Sequence, residues 1–261
     1  MTKFYFLIIL SITFLINNMD ASISGDPGEI IAIKLNNKNK TSNSLTVNIE
    51  GDIYELIPLP FDKQGESILI NNESIYVNNK DFGESRIKIE NNSMVNLSEE
   101  DSQRAYKESQ IIKNTLNSYT TAYKPEFNFM RPVEGIISSR YGKRRFINDL
   151  PKSPHLALDI AALSGTKIVA PAKGKIILIG DFFYSGNYII IDHGHGLLTS
   201  YSHLSKVNAV KNQFVEQGQK IGEVGSTGRV TGPHLHWTVY LNKVRINPEL
   251  IIQEDFLKSL L

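Results

Sequence analysis

The chain has 261 residues, 28 basic against 27 acidic side chains, a formal net charge of +1, six histidines and no cysteine. So even a balance offers no basic face for nucleic acid, which is excluded as a partner. Without cysteine there are no disulfides, thiolate ligands, cysteine nucleophile or lipid-anchor cysteine, and a metal site must be built from histidine and carboxylate.

Residues 1–24 place Lys3 ahead of an apolar run from Phe4 to Ile16, followed by the small residues Ala21, Ser22 and Ser24. This is the pattern of a secretory signal peptide, with a retained N-terminal anchor as the alternative. Either way the rest of the chain is expected to be exported, to the periplasm or cell envelope. Residues 25–97 hold short alternating runs at Ile30–Leu35, Leu45–Ile49, Ile53–Ile57, Ser67–Ile70, Ser74–Val77 and Arg86–Ile89, bounded by Gly and Asn turns. They predict a small antiparallel β module with a folding or positioning role. Residues 98–131 read as helix and linker: Ser98 is an N-cap with Asp101 three residues on, and Ala105, Ile112 and Leu116 recur at helical spacing.

Residues 132–250 are strand and turn throughout, which predicts a β-sandwich or barrel-like domain, so the fold class is mainly β. Residues 251–261 carry Phe256, Leu257, Leu260 and Leu261 and read as a short tail packed on the body.

The chemistry is concentrated in that second domain, where all the histidines fall between positions 155 and 236. His234 and His236, entering a strand after Gly232-Pro233, project from one face because alternate residues share a side. His155 and Asp159 form a second evenly spaced pair. A catalytic zinc takes three N and O ligands and keeps a position open; His155, Asp159 and one member of the His234/His236 pair supply them. There is no His-Glu-x-x-His helix. The Gly222–Gly232 region has no following helix and reads as β-turns shaping a groove, not as a phosphate loop. His193 and His195, flanking Gly194, read as surface turn residues.

Over about a hundred residues the motifs Ser138-Ser139-Arg140-Tyr141-Gly142, His155-x-x-Leu158-Asp159, Ile191-Asp192-His193-Gly194, Tyr201-Ser202-His203, Gly222-x-x-Gly225-x-Thr227-Gly228 and Thr231-Gly232-Pro233-His234-Leu235-His236 keep one order and spacing. In these the domain resembles the lysostaphin/LytM-like zinc metallopeptidases of bacterial cell walls. The β module and helix resemble the N-terminal part of a subgroup of exported endopeptidases. Ala157 stands where that family commonly has Gly, and Leu163 where it has Pro.

The resemblance implies one zinc per chain held by His155, Asp159 and His236, with His203 and His234 as the unligated catalytic pair. Such a pair suits the chemistry, since an imidazole donates from one nitrogen and accepts at the other. Tyr201, which two-residue spacing would put on the face of His203, is a candidate to donate to an oxyanion or simply to pack; Asn187 and Arg140 are candidate substrate contacts. The expected function is an exported zinc endopeptidase cutting peptide cross-links in peptidoglycan, most readily the D,D bond, with stem peptides as substrate and wall-hydrolase or envelope proteins as partners. A monomer is expected. The alternative is a non-catalytic or latent LytM-type regulator of other wall hydrolases. A phosphotransfer carrier on a related sandwich has no use for Asp159 or for export.

Overall fold

The computed structural model describes residues 23–35, 44–70, 72–90 and 92–261. The stretch read as a leader lies outside them, apart from Ile23 and Ser24, which open the first strand. Among the described residues no helix is long and apolar enough to cross a membrane.

The C-terminal part is built on a ten-stranded sheet whose central run, in spatial order, is Phe214–Val215, Gly174–Phe182, Gly186–Gly194, Leu197–Val207, His234–Leu241, Leu158–Ala161 and Ile136–Ser139. Every pairing in it is antiparallel. Leu197–Val207 pairs along most of its length with Gly186–Gly194 and His234–Leu241, and past a register shift with Lys220–Val224, so the sheet folds around one core. The period-2 pattern decides which side each residue takes. In His234–Leu241 the side chains of Leu235, Trp237, Val239 and Leu241 are fully buried in the main core, joined by Leu158 and Ile160 of the neighbouring strand. His234, His236 and Asp159 therefore project from the opposite face. Each buried aliphatic side chain contributes about 1.5–3 kcal/mol, so a one-residue slip that exchanged the two faces is strongly opposed.

That second face is covered in part by the helix Glu99–Thr115. Its N-cap is Ser98, whose hydroxyl accepts from the Asp101 N–H at 3.1 Å and donates to the Asp101 carboxylate at 2.9 Å. Ile112 and Leu116 pack on a smaller cluster of Leu178, Phe182, Tyr188, Ile190, Leu198 and Tyr240. Glu108 accepts from the Phe183 N–H at 2.6 Å, tying the helix to the hairpin turn at 182–186.

The N-terminal module differs from an all-antiparallel sandwich in two respects. Its strands Ile30–Lys34, Asp52–Pro58 and Thr46–Ile49 are antiparallel, but Ile23–Gly25 runs parallel to Glu73–Val77. Its last strand, Glu84–Ile87, leaves the module and pairs in parallel with Lys143–Ile147, which in turn pairs with Leu150–His155. Nor does the core stop at residue 97: Ile30, Leu45 and Leu56 share one cluster with Ile251 and Phe256. The tail packs on the body, where the ring of Phe256 stacks on that of Phe127 at 5.8 Å.

Candidate metal centre and active site

The three proposed ligands meet through strand pairing. Asp159 and His236 are direct cross-strand partners, and on the other side His236 faces Ser202. His155 ends the strand Leu150–His155, only four residues before Asp159, and is itself buried. His236 Nδ1 lies 2.7 Å and His155 Nε2 3.0 Å from Asp159 Oδ1, and the two nitrogens are 3.3 Å apart. One atom from each residue thus falls within 4.8 Å of the others, the only such His and carboxylate group found among the described residues.

The surrounding hydrogen bonds set the tautomers. His155 Nδ1 lies 3.0 Å from the Arg140 carbonyl, which can only accept, so Nδ1 carries the proton and the Nε2 lone pair faces the centre. Burial by itself would push the Asp159 carboxyl up, but the His236 and His155 imidazoles beside it hold it well below the usual range. Burial pushes His236 down to about 4 against the pull of Asp159. An ionised carboxylate beside imidazole nitrogens is the donor set that zinc takes, and these residues fit that ion.

His203 and His234 stand beside this group with ring centroids 4.9 Å apart, and His203 is 5.8 Å from the His236 ring. His203 donates from Nδ1 to the Thr227 carbonyl at 2.9 Å, and His234 from Nδ1 to the Gly232 carbonyl at 2.9 Å. Both therefore hold Nε2 as a free acceptor. Burial, reinforced by repulsion from His236 and His234, pushes His203 down to about 3, which keeps its acceptor form at neutral pH. The strand start at His234 is held by a bridge to Gly225, whose O accepts from the His234 N–H at 3.2 Å. A Cβ at Gly225 would run into the backbone of Ser205, so this approach requires glycine.

Other residues lie where spacing alone does not put them. His203 has φ of +67°, a left-handed backbone that breaks the strand's alternation. Tyr201 consequently does not share its face: it is fully buried in the core, with its hydroxyl 2.8 Å from Thr199 Oγ1. His193 is not a surface residue either. It sits buried in the strand Gly186–Gly194, donates from Nδ1 to the Lys173 carbonyl at 2.7 Å and lies 2.8 Å from Thr199 Oγ1. Burial holds it near 4. His195 does occupy the turn, half-buried, with φ of +50°. Asn187 donates to the Leu204 carbonyl at 2.9 Å and clamps two strands together. The Arg140 guanidinium pairs with Glu249, and the part of Arg140 that reaches the centre is its carbonyl.

The centre opens into a groove of about 340 Å³. Ser85, Ile87 and Ile89 line it from the N-terminal side, and Arg145, Tyr184 and Arg229 from the C-terminal domain. None of these six stood out in the sequence; Lys143-Arg144-Arg145 has the look of a solvated charge run.

A β domain with two histidines and a carboxylate around one point, faced by two more histidines with free acceptors, has the layout of a hydrolytic metal site. Residues 153–248 match Peptidase family M23, and the chain carries a domain of that family. Over 113 residues it is 40% identical to the Vibrio cholerae protein named peptidoglycan DD-endopeptidase ShyA, covering 42% of this chain and 26% of that protein. Over 125 residues it is 39% identical to the DD-carboxypeptidase/endopeptidase Mpg of Neisseria meningitidis, covering 48% of this chain and 29% of that one. The chain thus spans about a quarter of the length of these curated relatives. A crystal structure of a putative peptidase M23 from Pseudomonas aeruginosa matches with a TM-score of 0.67 and 29% identity over 87% of this chain and 94% of that one. That likeness extends beyond the family-matched residues.

Proposed function

We propose that this chain is an exported zinc endopeptidase that hydrolyses the D,D peptide cross-links of bacterial peptidoglycan. The observation that carries the reading is the meeting of His155, Asp159 and His236 around one point with the free Nε2 atoms of His203 and His234 turned to the same groove. The names of the relatives supply the substrate class. When bound, zinc supplies Lewis acidity and brings the ionisation of water towards neutral pH.

The chain's own residues do the rest. His155 and His236 present nitrogen lone pairs, and Asp159 sets an ionised carboxylate between them. An uncharged His203 or His234 accepts a proton at Nε2 and, once protonated, donates from that nitrogen to developing oxygen charge or to the leaving amine. Their Nδ1 bonds to carbonyls persist through that cycle, so neither ring has to turn. Incubating the chain with purified cross-linked peptidoglycan and weighing the released fragments tests the reading. Cross-linked dimers should give way to monomers cut at the D,D bond; intact dimers would count against it.

A latent form has its own support. Ser85, Ile87 and Ile89 alternate with exposed residues and face the groove. The segment is clipped down by Asn148, which accepts from the Ile89 N–H at 2.9 Å and donates to the Ile89 carbonyl at 3.1 Å. We read this strand as a cover over the centre. Asn148 has φ of +49°, so Asn148→Gly removes both side-chain bonds and keeps the backbone. At about 1 kcal/mol for each of the two bonds, peptidoglycan cleavage should rise by up to about 30-fold; unchanged or reduced turnover in a folded variant would refute the cover.

A further inference from the structure

Arg145 and Arg229 line the groove beside the centre, yet neither forms a salt bridge or a side-chain hydrogen bond among the described residues. Their neighbours behave differently. Arg144 pairs with Glu84 at 3.4 Å, Arg86 with Glu84 at 3.1 Å and Arg104 with Glu108 at 2.7 Å. Thus these three solvent-facing arginines have carboxylate partners, and the two that line the groove form no salt bridge. Taking a guanidinium partly out of water is unfavourable unless an anion answers it. Burial indeed pushes both groups down from their usual range, and Arg145 Nε is buried without a partner.

Both side chains are held in place without a carboxylate in contact. Arg145 sits in a strand between Ser85 and Lys152. The Arg229 guanidinium lies 4.2 Å from the Tyr184 ring centroid, and its backbone N–H donates to the Tyr184 carbonyl at 3.0 Å. Tyr184 belongs to the turn that Glu108 fastens to the helix. Among the described residues Asp159 is the only acidic residue lining the groove; it attracts Arg145 from a distance, but its carboxylate is in contact with the histidines. With a divalent ion present, the groove is short of negative charge.

We propose that Arg145 and Arg229 form a carboxylate subsite that recognises a free acid group on the peptide substrate next to the scissile bond. This rests on the peptidase reading above. The planar guanidinium matches a carboxylate through paired N–H donors, which a carboxamide cannot accept in the same way.

The test uses two synthetic cross-linked peptides that differ only in that flanking group, one a carboxylate and the other a carboxamide. For the full zinc-loaded chain, kcat/KM should favour the acid by about 10- to 100-fold. In the double variant Arg145→Gln, Arg229→Gln the ratio should fall to about one, whereas Arg144→Gln, on the same strand but paired with Glu84, should keep the ratio. If the double variant does not fold, Arg229→Gln alone carries the test, since residue 229 lies in a loop, and should lower the ratio at least severalfold. Equal cleavage of both peptides by the unaltered chain, or a full preference kept by the arginine variants, overturns the subsite. Calorimetric titration of the zinc-free full chain with each peptide separates the two claims. Tighter binding of the acid in that titration, with no hydrolysis of either peptide by the zinc-loaded chain, would retain the subsite and reject the peptidase reading; equal binding of the two would reject the subsite.

Discussion

Replacing His236 with alanine is expected to leave a folded chain that binds no zinc and has lost at least about a thousandfold of its cleavage rate. The side chain projects from the face opposite the core, so truncation removes no apolar packing; Leu235 and Trp237 on either side keep the strand in register. What is lost is the nitrogen 2.7 Å from Asp159 Oδ1. Two ligands remain where a catalytic zinc site takes three. Metal content by mass spectrometry of the native protein should drop from one zinc to none, with an unchanged far-UV circular dichroism spectrum. Retained zinc would mean that His234 or another residue completes the set.

Removing either histidine of the facing pair should separate metal binding from turnover. His203→Ala and His234→Ala are each expected to keep one zinc and to lower kcat by about 10²- to 10⁴-fold, the range of a positioned acid or base. Neither side chain supplies one of the three clustered ligand atoms, and each is anchored to a loop carbonyl instead. KM should change far less than kcat, because an interaction realised in the transition state lowers kcat and kcat/KM together. A variant of either residue with unaltered kcat would remove it from the proton-transfer role.

How far the sequence discloses this arrangement depends on whether a residue's position follows from local spacing. His234 and His236 are two apart on a regular strand, so their shared face is legible from period 2 alone. Asp159 is legible for the same reason, being flanked by the core residues Leu158 and Ile160. At His203 the same rule misleads, because the left-handed backbone turns the imidazole to the groove and leaves Tyr201 in the core. His193 resembles a turn residue because glycine follows it, but the strand runs on through Gly194 and buries the ring.

Long-range pairing is harder still to read. The strand Leu150–His155 carries Pro151 and Pro154, which period and propensity both count against a strand; it tolerates them as the edge of its three-stranded sheet. Nothing near Glu84–Ile87 announces that its partner lies at Lys143–Ile147. Without that pairing, neither the strand that lines the groove nor the position of Arg145 within it is visible. The strands of the main domain and the faces taken by His234, His236 and Asp159 are therefore local information, and the placing of His203 and of what surrounds the centre is not.

The most direct test of the zinc centre is a titration of activity against metal. The chain is stripped with a chelator, dialysed, and given zinc in steps while cleavage of cross-linked peptidoglycan is followed. Activity should vanish on stripping and return in proportion to zinc, reaching its plateau at one ion per chain. Cleavage that survives complete removal of metal would contradict the account.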